Sequence, residues 1–243
     1  MKGAYQYGFF KRLYQRWPDF PIKRVYAVSV GAINALPIVT RKMHLLDEYW
    51  CNEKYMPFDL IANDWEYIEK APTDASKVSL RSKSLILNGS LFKSLKLEPF
   101  EKFIDGMDEK ETREVRDKLV ILSHNIATRR PVITRCTSKE KTLDGIRTSS
   151  MFPHLFQLDS DVIDGSFNDL DKCIMPHKGE EWLCIDLQGT LKVHPGAHVF
   201  APKVSNYPVA NIVSCLVLNR QLVDELVRNG TNDADAFVEI AHA

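Results

Sequence analysis

The sequence predicts an α/β fold in which a mostly parallel central sheet is flanked by helices, and three observations lead there. Short apolar runs alternate with segments of helical periodicity, the pattern of strands wound together with helices on both faces of a sheet. Hydrophobic residues make up 44% of the chain and charged residues 26%, a balance that can bury a sizeable core. The length of 243 residues suits one domain, and no internal repeat or low-complexity tract divides it, so a single domain over residues 1–243 is expected.

From Gly3 onward, Tyr5, Phe9, Phe10, Leu13, Tyr14 and Trp17 recur near helical spacing until Pro18 and Pro21 stop the pattern, which predicts an amphipathic first helix. Val25-Tyr26-Ala27-Val28 then reads as a buried strand, and the stretch from Gly31 to Leu36 as the start of a helix. Pro37 falls inside that helix, where it removes an N–H and should bend or end it. Residues from about 45 to 69 hold aromatic-rich helical segments, and 73–94, rich in Ser, Lys and Asn, reads as surface loop. The dense mixed charges of 108–117 fit a solvated turn or helix face. Four β segments follow, at 119–122, 131–134, 182–187 and 198–200, and a helix from about 209 to 228 is expected to end at Asn229-Gly230 before a short closing helix.

Lys plus Arg and Asp plus Glu both total 32, so no net field steers the protein to nucleic acid or to an anionic bilayer, and any membrane contact must be local. Neither a signal peptide nor a run approaching the roughly 18 apolar residues of a membrane span is visible, which points to a cytoplasmic or peripheral membrane location. The five cysteines, Cys51, Cys136, Cys173, Cys184 and Cys215, lie far apart without a CxxC pair, as in a reducing compartment.

Chemistry enters at Ala27-Val28-Ser29-Val30-Gly31, a near match to the G-x-S-x-G nucleophile elbow with alanine for the first glycine. An elbow holds its serine in a strained turn between strand and helix, so the flanking residues must be small, and the hydroxyl stands exposed at the sheet edge. The helix that begins beside Ser29 would also aim its amides and positive dipole end at the reacting centre. Taken alone the motif also fits a plain strand-to-helix turn, and Asp164-Gly165 alone fits a β-turn after Val162-Ile163.

Four blocks in order resemble the patatin-like phospholipase family. Lys2-Gly3-Ala4-Tyr5-Gln6 followed by Gly8 is similar to the second half of that family's glycine-rich oxyanion loop and the helix after it. The elbow and the residues following it, Val28-Ser29-Val30-Gly31-Ala32-Ile33-Asn34-Ala35, form the second block. Arg147-Thr148-Ser149-Ser150-Met151-Phe152-Pro153 resembles the small-residue segment before a proline, and Ile163-Asp164-Gly165-Ser166 the Asp-Gly-Gly/Ala motif of the catalytic aspartate. The resemblance implies a three-layer patatin-like fold and a lipid acyl hydrolase, phospholipase A-like, that needs neither metal nor organic cofactor. It further implies a dyad in which Asp164 takes the proton of Ser29 directly and the reaction runs through an acyl-Ser29 intermediate, since an unactivated serine is a poor nucleophile. Gly165 would let the backbone turn tightly beside the base. The family's leading strand and glycines would stand before Lys2, so the chain is expected to lack them.

Four other readings compete with this one. Asp159, Asp161, Asp164 and Gly165 faintly resemble a calcium loop, but the spacing carries an extra residue and no glutamate closes it. His194 and His198 are separated by Pro195 and Gly196, which deny the helix that would align them as metal ligands. His177, His194 and His198 all follow Asp164, so a Ser-Asp-His triad is the rival mechanism. A lipid-binding or interaction protein that keeps the fold without catalysis is the rival class.

Overall fold

The computed structural model describes residues 2–51, 58–60, 92–95, 97–151, 160–174, 180–187, 197–202 and 220–242. The chain divides into two compact units, one built from Met1–Pro21 with Asp169–Ala243 and the other from Ile22–Asn168.

Among the described residues the second unit holds a mixed four-stranded sheet. β1 (Val25–Val28) pairs parallel with β4 (Leu119–Asn125) from Val25↔Leu119 to Val28↔Leu122. β5 (Arg130–Arg135) returns antiparallel along the other edge of β4, and β6 (Val162–Asp164) pairs antiparallel with residues 123–125 of β4. The expected strands are present, but this sheet is not mostly parallel. Only four residues, Ile126 to Arg129, join β4 to β5, and so short a connection can build only a hairpin, because parallel neighbours need a crossover of a dozen residues or more. Arg129 takes the left-handed conformation, φ 54°, that closes the turn.

Helix α2 (Val30–Thr40) follows β1, and α3 (His44–Cys51) follows α2. Pro37 does not stop α2 at once; the helix runs three residues further and ends at Arg41, φ 59°, whose N–H reaches the carbonyls of Pro37 and Ile38. The proline forfeits the bond to the Ile33 carbonyl and crowds it, but the N–H groups that follow can still bond back along the helix, so it disrupts the preceding turn without barring the next. Asn34, fully buried in α2, accepts a hydrogen bond from the Trp50 indole of α3 at 3.0 Å, so its polar atom is not left orphaned. α4 (Glu98–Gly106) precedes α5 (Glu109–Lys118), where the charged run proves to be a solvated helix started by an Asp108–Glu111 capping box. β2 (Phe58–Leu60) pairs antiparallel with β3 (Phe92–Leu95); the end of the expected 73–94 loop is therefore strand, paired with a distant segment that a local reading does not reach. α6 (Lys139–Ser149) lies between β5 and β6 and is capped by Ser138.

In the first unit α1 (Gly3–Arg16) packs along α8 (Arg220–Ala241), while β7 (Trp182–Ile185) and β8 (Ala197–Phe200) pair in parallel and α7 (Leu170–Cys173) is a single turn. Phe9, Leu13, Ala234, Phe237 and Val238 form its core. The expected helix end at Asn229-Gly230 is a correction, because α8 runs unbroken through both residues. Gly230 serves close approach and not termination: a Cβ there would stand 2.1 Å from the Tyr5 carbonyl oxygen, and one on Gly8 2.2 Å from that of Val227. Both backbones would have to part, so Gly230→Ala is expected to destabilise the protein by about 1–3 kcal/mol, read as a lowered melting temperature. The start of the expected 209–228 helix lies outside the described residues.

Candidate active site

The two strands that neighbour the same edge of β4 run toward each other. β1 is parallel to β4 and stops opposite Leu122, whereas β6 is antiparallel and stops with Asp164 opposite Ser123. Their C-terminal ends therefore meet at adjacent residues of one strand, and each end carries one of the two expected side chains. Ser29 follows β1 and Asp164 closes β6.

Ser29 has φ 56° and ψ −134°, a region that side-chain-bearing residues avoid at a cost of about 1–3 kcal/mol. Such strain persists only where the surroundings impose it, and it is the conformation an elbow requires. Ala27 and Val28 complete β1 before the turn, and Val30 and Gly31 open α2 immediately after it. The Ser29 hydroxyl, half-buried, donates to Asp164 Oδ2 at 2.6 Å. The other carboxylate oxygen, Oδ1, accepts the Ser166 N–H at 2.8 Å.

Asp164 is 1% exposed. Burial pushes its pKa above the ordinary carboxylate value, and the hydrogen bonds from Ser29 and Ser166 pull back part of that rise. The carboxylate is thus a better base than one in water.

Gly165 answers a demand for space. After Asp164 the chain turns through a 3-10 segment, Gly165–Phe167, directly over β4, where a Cβ would lie 2.1 Å from the Leu122 carbonyl oxygen and 3.1 Å from a Val28 methyl. Gly165→Ala must push the turn off the strand and carry Asp164 with it. We expect a loss of about 1–3 kcal/mol in stability, measured by thermal melts.

Residues that the sequence reading assigned no role surround this pair. Ser149, at the end of α6, accepts the Ser29 N–H at 2.9 Å, Ser150 donates to the Ser29 carbonyl at 3.2 Å, and the Met151 carbonyl accepts the Asp164 N–H at 2.9 Å. Asn168 clamps the turn after Asp164: its Nδ2 donates to the Ser123 and Gly165 carbonyls at 2.9 and 3.0 Å, and its Oδ1 lies 2.8 Å from His124 Nδ1. The Ser149-Ser150 pair stood inside a recognised block, but only the tertiary structure gives its hydroxyls partners.

Lys2 and Gly3 open α1 in the other unit, with the Lys2 carbonyl accepting the Tyr5 N–H at 3.0 Å. Of the histidines weighed for a triad, His198 belongs to β8 and meets the Phe237 ring edge-on at 5.4 Å; His177 and His194 lie outside the described residues, as do Phe152, Pro153 and Asp159. Among the described residues no group of three or more His, Cys, Asp or Glu is placed to hold a metal ion, and no helix is long and apolar enough to cross a membrane. Cys136, Cys173 and Cys184 are free thiols, and Cys215 lies outside the described residues.

A protein-family model described as patatin-like phospholipase matches residues 1–171, a span that holds Lys2, Gly3, Ser29 and Asp164. No curated protein matches the chain.

Proposed function

The chain belongs to the patatin-like phospholipase family, and on that premise we propose that it hydrolyses fatty acyl esters of lipids, with Ser29 as nucleophile and Asp164 as general base. The family makes lipid acyl hydrolysis the activity to expect; the 2.6 Å bond from Ser29 Oγ to Asp164 Oδ2 is the observation that carries the mechanism. In the first half-reaction Ser29 Oγ attacks the ester carbonyl while Asp164 accepts its proton, and collapse of the tetrahedral adduct expels the alcohol, which takes that proton from Asp164. In the second, a water gives its proton to Asp164 and attacks acyl-Ser29, and the fatty acid leaves as the proton returns to Ser29.

Negative charge develops on the former carbonyl oxygen in both steps. The N-terminal end of α2, beginning at Val30, presents the positive end of its dipole beside Ser29, and the family's pattern assigns Lys2 and Gly3 to the oxyanion loop. The direct contact between hydroxyl and carboxylate favours a dyad over a triad, because a triad seats an imidazole between those two groups. We also assign the whole of residues 1–243 to one working patatin-like domain, acting on lipid at a membrane surface through local apolar contact.

The test is to offer phospholipid, lysophospholipid and triacylglycerol in mixed micelles and measure free fatty acid. Release from at least one of them is expected. If none is cleaved, or if the phosphodiester is cut and the acyl ester spared, the reading fails.

A further inference from the structure

We infer that Ser149 is a positioning residue for the nucleophile, its hydroxyl holding the strained Ser29 backbone by bridging the two strand groups that separate where the elbow leaves the sheet. This rests on the reading of Ser29 as nucleophile and goes beyond it.

Val28 pairs with Leu122 in the parallel β1–β4 ladder, and the next residue, Ser29, turns out of the sheet. The turn threatens to orphan the partly buried Ser29 N–H and the buried Leu122 carbonyl. One hydroxyl serves both: Ser149 Oγ accepts the Ser29 N–H at 2.9 Å and donates to the Leu122 carbonyl at 2.6 Å. Ser149 is 0% exposed, so solvent does not stand ready to replace it.

The bonding is not the default for a hydroxyl near a helix end. Its neighbour Thr148 folds back onto its own helix, donating to the Asp144 carbonyl at 2.9 Å, as serines and threonines in helices commonly do. Ser149 instead spends its donor on another strand. Its successors extend the grip, Ser150 on the Ser29 carbonyl and Met151 on the Asp164 N–H. Three consecutive residues thus fix both partners of the 2.6 Å hydroxyl–carboxylate bond to one end of α6.

The experiment compares the full chain with its Ser149→Ala and Ser150→Ala variants, measuring kcat and KM on a short p-nitrophenyl ester, the rate of Ser29 labelling by a fluorophosphonate, and the melting curve. A misplaced nucleophile lowers kcat and labelling together while KM, set by the acyl group's contacts, stays near its original value. Ser149→Ala is expected to lower kcat and labelling rate about 10–100-fold with KM changed less than about threefold. Ser150→Ala, losing a longer bond of 3.2 Å, should cost about 3–10-fold in the same two quantities, and it decides the matter if Ser149→Ala does not fold. Folded Ser149→Ala that labels and turns over at the wild-type rate overturns the inference and leaves Ser29 as nucleophile untouched. If Ser149→Ala does not fold, wild-type rates in Ser150→Ala overturn it. A wild-type chain that hydrolyses the ester but never labels at Ser29 overturns the nucleophile assignment first, and this inference with it.

Discussion

Ser29→Ala is expected to lower kcat on short acyl esters by on the order of 10⁴–10⁶-fold while the protein still unfolds in one cooperative transition. The substitution removes one oxygen from a half-buried site and leaves the elbow's backbone bonds to Ser149 and Ser150 in place. No covalent intermediate can then form, and the residual rate reflects only binding and whatever stabilises the oxyanion. Asp164 also loses the hydroxyl that partly offsets its raised pKa, so it becomes harder to ionise in the variant. Steady-state hydrolysis together with a thermal melt checks both parts; turnover within tenfold of wild type would remove Ser29 from the mechanism.

Asp164→Asn is expected to cost about 10³–10⁴-fold in kcat, because members of one catalytic unit fail together. The amide can keep the geometry, its oxygen accepting from Ser166 N–H and its NH₂ donating to the Ser29 oxygen, so the loss isolates the missing base. As a comparison, His198→Ala should change kcat less than about twofold, since the proposed dyad has no place for an imidazole.

The same carboxylate fixes two pH effects. The proposed mechanism requires Asp164 ionised, so kcat/KM of the wild type should fall as pH drops through a pKa above the ordinary carboxylate value, and this limb should be absent from the residual activity of Asp164→Asn. For stability, the folded pKa is raised above the unfolded one, so the native state binds more protons between the two values. Its contribution is full below the unfolded pKa and is lost as pH rises through the folded pKa. Asp164→Asn should therefore melt above wild type at neutral pH, with the difference shrinking as the pH is lowered into the range where wild-type Asp164 is protonated in both states. Melting curves of the two proteins across that range measure it.

Much of this site was legible because its signals are local. A strained strand-to-helix turn demands small neighbours, and Ala27 and Gly31 stand on either side of Ser29. The β runs at 25–28 and 119–122 were visible as continuous apolar stretches. What escaped was whatever depends on two distant segments touching. The resemblance placed Ser29 and Asp164 in one dyad, but no local pattern shows that β1 and β6 converge on adjacent residues of β4. Glycine was misread for the same reason: Gly230 after Asn229 resembles a helix end, yet its missing side chain makes room for the Tyr5 carbonyl. Gly165 was expected for a turn, and the structure gives it a second reason, contact with Leu122. The parallel sheet was inferred from alternation of strands and helices, a rule that the short β4–β5 hairpin breaks.

Peptide mapping of the full chain after incubation with a fluorophosphonate probe tests the central claim most directly, because only an activated serine in a working site reacts readily. The account predicts one adduct per chain, on the peptide that carries Ser29, absent in Ser29→Ala and strongly slowed in Asp164→Asn. An adduct on a different serine, or an unlabelled chain that nonetheless releases fatty acid, would contradict it.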